Sequence, residues 1–251
     1  MVLNSKTTQQ IFETEFRELE INYDTLYKYT QKNGANFDDI IPRKLRLFRI
    51  RLLLVIGLKI DFDTDYSLVK SKDTAATYTE LMKCNESWFA YESMKKYCEL
   101  KGWHKNERTS PVNFLNNETL QQLNIDPILS IYNNQIQAHI SQLKGFKADM
   151  ISYLNFLHNH LSNRAKTLKG FIQETIELFE MDKYEFNPPH IFATLYATRN
   201  LFVHRGEAAK SGVRSYNNKI ILLKTIYDFS ILFQLRVINY AFMHQLESLK
   251  K

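Results

Sequence analysis

Glycine and proline are scarce in this chain, seven and five among 251 residues, so it offers few places to turn. A polypeptide with so few breakers is expected to form long helices, and no run of alternating apolar and polar residues argues for a strand. Cysteine is rarer still. Cys84 and Cys98 lie fourteen apart in a segment with helical spacing, which puts them roughly 21 Å apart along one helix and out of reach of a disulfide. A reduced thiol pair fits a cytoplasmic location. The most apolar run, Leu52 to Leu58, is seven residues long, far short of the roughly 20 that span a bilayer. The first residues lack the basic segment and apolar stretch of a signal peptide, so neither export nor a membrane is expected. Two motifs are missing as well. Without a glycine-rich phosphate loop or a Gly-x-Ser-x-Gly elbow, nucleotide kinases and serine hydrolases lose their usual footing.

What is present is ordinary for a globular protein: 44% hydrophobic and 24% charged residues, with a formal net charge of +6. The excess of positive charge favours phosphate-bearing partners without identifying one. Helical periodicity predicts a helix over about Thr8 to Gln31, stopped at Asn33-Gly34. A second helix is expected from Asp38-Asp39 to about Lys59, with Pro42 in its first turn and a latter half apolar on all sides, hence buried. A third spans about Tyr66 to Leu100, with a break near Asp73 as an alternative, and ends at Gly102. Lys105 to Thr119 is polar and irregular, the best candidate for a linker or exposed loop. Helices resume over Pro127 to Lys144 and over Ala148 to Met181, with a break near Ser162. Asn187 and Pro188 then open a helix that ends at Gly206, and a last long helix covers Lys219 to Leu249. The expected organisation is an all-α bundle: an N-terminal helical region over 1–104, a linker or loop over 105–126, and a helical domain over 127–251. The two halves are also compatible with one compact domain.

Several constellations carry little. Asp61, Asp63 and Asp65 are spaced like the start of a calcium loop, but its sixth and twelfth positions hold Tyr66 and Lys72 instead of glycine and glutamate. His158 and His160 are two apart and face different sides of a helix, so they do not share a metal. No metal site and no cofactor are expected. The run Arg43 to Arg51 has five basic residues in nine, but helical geometry spreads them around the axis, where their aliphatic stems can cover the core. Trp88 and Phe89, beside Glu86 and Glu92, are expected to be core rather than a stacking platform for bases. A buried carboxylate there could pair with an arginine elsewhere.

The segment Tyr196 to Glu207, YATRNLFVHRGE, is different. On a helical wheel Arg199, Asn200 and His204 fall within about 140°, while Ile191, Leu195, Thr198, Leu201 and Phe202 lie opposite. An amphipathic helix alone would account for a polar face. Arginine, asparagine and histidine are also a set that can hold a phosphate and move protons beside it.

This pattern, Arg-Asn-x-x-x-His-x-Gly ahead of a long final helix, resembles the signature of the HEPN superfamily. That motif is an arginine, often followed directly by asparagine or another polar residue, with four to six residues between the arginine and a histidine. Arg199, Asn200 and His204 match it position by position, and Gly206 matches a frequent companion. The resemblance is strongest over Thr198 to Glu207, extends to the helix order of the C-terminal half, and is not traceable through residues 1–126. It implies a HEPN-like helical bundle and a metal-independent endoribonuclease of toxin–antitoxin, phage-defence or CRISPR-associated type. Such an enzyme leaves a 2′,3′-cyclic phosphate and a 5′-hydroxyl. Arg199, Asn200 and His204 would be its catalytic residues, with Arg205 beside them binding substrate. RNA would be the partner, together with a second copy of the chain, because the chemistry wants two motifs and this sequence holds one. An antitoxin or defence-system protein is a further expected partner. The alternatives are a non-catalytic HEPN-type module that binds RNA or protein and dimerises, and a helical scaffold in which the motif is coincidental.

Overall fold

A computed structural model describes residues 6–62, 72–105 and 112–250. The described residues form ten α-helices and no strand: α1 (Lys6–Asn33), α2 (Phe37–Ile40), α3 (Arg43–Gly57), α4 (Lys72–Leu100), α5 (Asn117–Leu123), α6 (Asp126–Gln142), α7 (Phe146–His160), α8 (Lys166–Glu180), α9 (Pro188–Arg205) and α10 (Tyr216–Ser248). The all-α architecture is the one helical periodicity dictates, and the break between α7 and α8 falls over Leu161 to Ala165, around Ser162. None of the described helices is long and apolar enough to cross a membrane.

The bundle is organised around α10. From Thr225 to Leu235 every residue of α10 is buried, the signature of a helix enclosed on all sides. It packs against α4 and α3, against α1, and against α6, α7 and α9, so helices from both halves of the chain share it. Several of its buried polar side chains are hydrogen-bonded to neighbouring helices, which offsets the cost of burying them. Ser230 Oγ lies 2.6 Å from Ser87 Oγ on α4, and Asn239 Nδ2 donates to Glu15 Oε2 on α1 at 2.8 Å.

Three expectations need correction. The segment around Pro42 is two helices rather than one. Asn36 caps α2 by accepting from the Asp38 N–H at 3.0 Å, and Pro42 stands as the N-cap of α3. A proline has no N–H for a continuing helix and restricts the residue before it, and Ile41 accordingly leaves the helical region at φ −122°, ψ 86°. The apolar latter half of α3 is not buried all round either: Leu52 and Val55 are in the core, but Leu54 is 67% exposed. The reason is position, since among the described residues α3 packs chiefly on α4 and α10, and Leu54 does not face either of them fully. Finally, the described part of Lys105 to Thr119 is not an exposed linker. Val112, Phe114 and Leu115 are buried, and Lys105 N–H donates to the Phe114 carbonyl while Asn116 N–H donates to that of Trp103. Apolar residues scattered in a polar run are enough to fold it back onto α4.

Cys84 and Cys98 are buried free thiols whose pKa values burial pushes up. Asp63, Asp65 and Tyr66 of the calcium-like spacing lie outside the described residues. The basic run of α3 is largely taken up in packing: Arg46 pairs with Asp38, Arg49 lies 3.7 Å from the centroid of Tyr23, and Arg51 Nη1 donates to the Phe89 carbonyl.

Candidate active site

The motif helix is α9, and its two ends are built differently. At the N-terminus Pro188 occupies the first turn, where its missing N–H has no helical partner to lose. Asn187 N–H donates to His190 Nδ1 at 3.2 Å, and His190 Nε2 lies 3.1 Å from Glu174 Oε2 on α8. Burial lowers the His190 pKa, with Glu174 opposing the shift. The folded value therefore lies below the unfolded one near 6.5. The contribution of this cap is present above that unfolded value and is lost as pH falls through the folded value, when Nδ1 gains a proton and stops accepting. Melting should accordingly fall between pH 7.5 and pH 5, and His190→Gln should melt with a smaller pH dependence over the same interval.

At the C-terminus Gly206 takes the left-handed conformation at φ 63°, open to glycine without steric cost, and its N–H caps the Leu201 carbonyl. Between these ends Ile191, Phe192, Leu195, Ala197, Thr198 and Leu201 are buried against α4, α7, α8 and α10. Phe202 is half-buried. The opposite face carries the motif. Arg199 and Asn200 are half-buried, and His204 and Arg205 are exposed.

The structure brings three of the four candidate residues together. Arg199 Nη1 donates to Asn200 Oδ1 at 3.0 Å and lies 3.2 Å from His204 Nε2. Since arginine only donates, Nε2 is the acceptor and the neutral imidazole carries its proton on Nδ1. Beneath the guanidinium is the ring of Phe89 on α4, 5.3 Å from Arg199 Cζ, within range of a cation–π contact. Arg205 is exposed on the last turn and makes no side-chain hydrogen bond to the trio.

Sequence reasoning missed two residues here. Phe89, expected in the core, is half-buried and supports Arg199. Glu207 closes the motif segment in sequence but is buried in space, paired with Lys219 at 2.6 Å with both side chains 0% exposed. Its Oε1 also accepts from Tyr153 OH at 3.0 Å, and that hydroxyl lies 3.0 Å from Thr198 Oγ1. Lys219 Nζ further donates to the Ser211 carbonyl at 3.0 Å. Burial pushes the Glu207 carboxyl up and the Lys219 amine down, each opposed by the other's charge. This cluster brackets the motif: Thr198 directly precedes Arg199, and Glu207 follows His204 by three residues. Gly212 completes the clamp. Its φ is 76°, and a Cβ there would sit 2.9 Å from Phe156 and Tyr153, so the loop after α9 lies hard against α7. A lysine directly ahead of the apolar run Ile220 to Leu223 of α10 was the available signal, but its partner lies across a loop that sequence spacing cannot fold.

Chemically, the trio offers a fixed guanidinium fork for an oxyanion and an imidazole with a lone pair beside it. Among the described residues no three histidine, cysteine, aspartate or glutamate side chains are grouped to hold a metal ion, and His160 is instead engaged with the Phe156 carbonyl and ring. Compared with known proteins, the chain shows no significant match to a family model, a curated protein or a solved structure.

Proposed function

We propose that the chain is a metal-independent endoribonuclease of HEPN type, with Arg199, Asn200 and His204 as its catalytic group. The observation that carries this reading is the 3.2 Å approach of Arg199 Nη1 to His204 Nε2 on an accessible helix face. A phosphate arriving at the guanidinium competes for that N–H and frees the imidazole nitrogen. Neutral His204 then takes the proton of the 2′-hydroxyl as its oxygen attacks phosphorus. The bond from phosphorus to the 5′-oxygen breaks, and Arg199 stabilises the charge on the non-bridging oxygens. Asn200 holds the guanidinium from the side, and Arg205 at the helix end adds positive charge for the RNA backbone.

The departing 5′-oxygen needs a proton, and one imidazole cannot serve as base and acid in a single step. His204 of the partner subunit is the natural donor, so the active form is a homodimer whose interface includes the polar face of α9. Light scattering is expected to give a particle of twice 29.7 kDa; a monomer that still cuts RNA would remove the composite site. A second reading keeps the face but not the reaction: His204 Nε2 is already engaged by Arg199, and a HEPN-type module could hold RNA or a partner such as an antitoxin without cutting. Incubating the purified protein with RNA, in EDTA and in magnesium, tests between them. Equal cleavage in both supports the nuclease. Cleavage only with magnesium contradicts the mechanism, and no cleavage of any RNA favours the binding module.

A further inference from the structure

Phe89 does more than support Arg199. It also lines a groove of about 460 Å³ between α3 and α4, together with Leu54, Val55 and Leu58 and two charged residues, Arg51 and Glu86. We propose that this groove is a nucleobase subsite with a preference for guanine, receiving a base next to the phosphate held at Arg199; the proposal rests on the ribonuclease reading of that site. Continuity is the first argument. Phe89 lines the groove and has its ring 5.3 Å from Arg199 Cζ, so a nucleotide whose phosphate meets the guanidinium has its base within reach of the groove. The lining is the second. An aromatic ring with aliphatic neighbours suits the flat apolar face of a base.

The charged pair sets the preference. A carboxylate only accepts hydrogen bonds. Guanine presents two adjacent N–H donors, from N1 and N2, which match the two oxygens of Glu86. Adenine and cytosine place a ring acceptor beside their single amino group, and uracil flanks its one N–H with two carbonyls, so each turns a lone pair toward the carboxylate. Glu86 Oε1 already accepts from Asn85 Nδ2 at 3.1 Å, which fixes the carboxylate and leaves lone pairs on both oxygens. Arg51 uses Nη1 on the Phe89 carbonyl at 3.3 Å and keeps its other N–H groups for a flanking phosphate.

The test uses full-length protein carrying His204→Ala, so that cleavage does not obscure binding. Four labelled ribopentamers, UUNUU with each base at N, are titrated and followed by fluorescence anisotropy. The guanine pentamer is expected to bind about tenfold more tightly than the others. Glu86→Gln should reduce that preference to about twofold or less, because an amide offers one acceptor and one donor. Phe89→Leu should weaken all four about tenfold, and Phe89→Trp should retain binding. Equal affinities for the four, or an undiminished preference in Glu86→Gln, overturns the proposal. So does a Leu54→Asp variant that becomes monomeric by light scattering with unchanged pentamer affinity, since the groove would then be a contact between copies. RNA cleavage by the wild-type chain is measured in parallel. Cleavage that depends on His204 alongside base-blind binding removes the subsite alone, whereas loss of the ribonuclease reading is seen in the cleavage assay itself.

Discussion

Replacing His204 by alanine is expected to reduce RNA cleavage by about a hundred- to ten-thousand-fold while leaving the melting temperature nearly unchanged. On the proposed mechanism, the rate effect follows from removing the group that moves protons in the transition state. The small effect on stability follows from exposure: His204 lies outside the core, and its one side-chain hydrogen bond is to Arg199. Arg199→Ala should lower the rate by a similar factor through the loss of charge stabilisation. Asn200→Ala should be milder if its part is to orient Arg199, whose guanidinium donates to its amide oxygen. A protein that cuts RNA equally well without His204 is not using this site.

The second large effect concerns folding. Glu207→Ala should destabilise the protein by about 3–5 kcal/mol, because it leaves Lys219 as an unpaired charge in the core. For a chain of this size that corresponds to a drop of about 10 °C in melting temperature. Burial disfavours the charged form of both partners, and a buried ion pair can often be exchanged for apolar residues of similar volume at little cost. The double replacement Glu207→Leu with Lys219→Met should therefore cost far less than the sum of Glu207→Leu and Lys219→Met made singly. Thermal melts of the single and double variants decide this. If both singles melt like the wild type, the cluster does not clamp the motif.

The fold was legible where one physical rule dominated. The α9 helix could be read from Asn187-Pro188 to Gly206, because capping and left-handed termination are local and leave their residues in sequence. The split at Pro42 was misread because a proline suits a first turn as readily as it ends a helix, and only the backbone at Ile41 decides between them. Burial of α3 was misjudged for another reason: an apolar helix shows how much surface it can hide, not how many neighbours surround it. The trio Arg199, Asn200 and His204 shared a face on the wheel and does so in space. Phe89 and Lys219 reach Arg199 and Glu207 from other helices, and local sequence does not name the partner of a contact made through tertiary packing.

The nature of the fragment ends decides whether the Arg199–Asn200–His204 group cuts RNA by attack of the 2′-hydroxyl. Mass spectrometry of RNA cut by the wild-type chain in EDTA is expected to find 2′,3′-cyclic phosphate and 5′-hydroxyl ends, and a substrate with a single 2′-deoxy sugar at the cleaved position should stay intact. Ends bearing a 3′-hydroxyl and a 5′-phosphate, or equal cutting of the 2′-deoxy substrate, would contradict the mechanism.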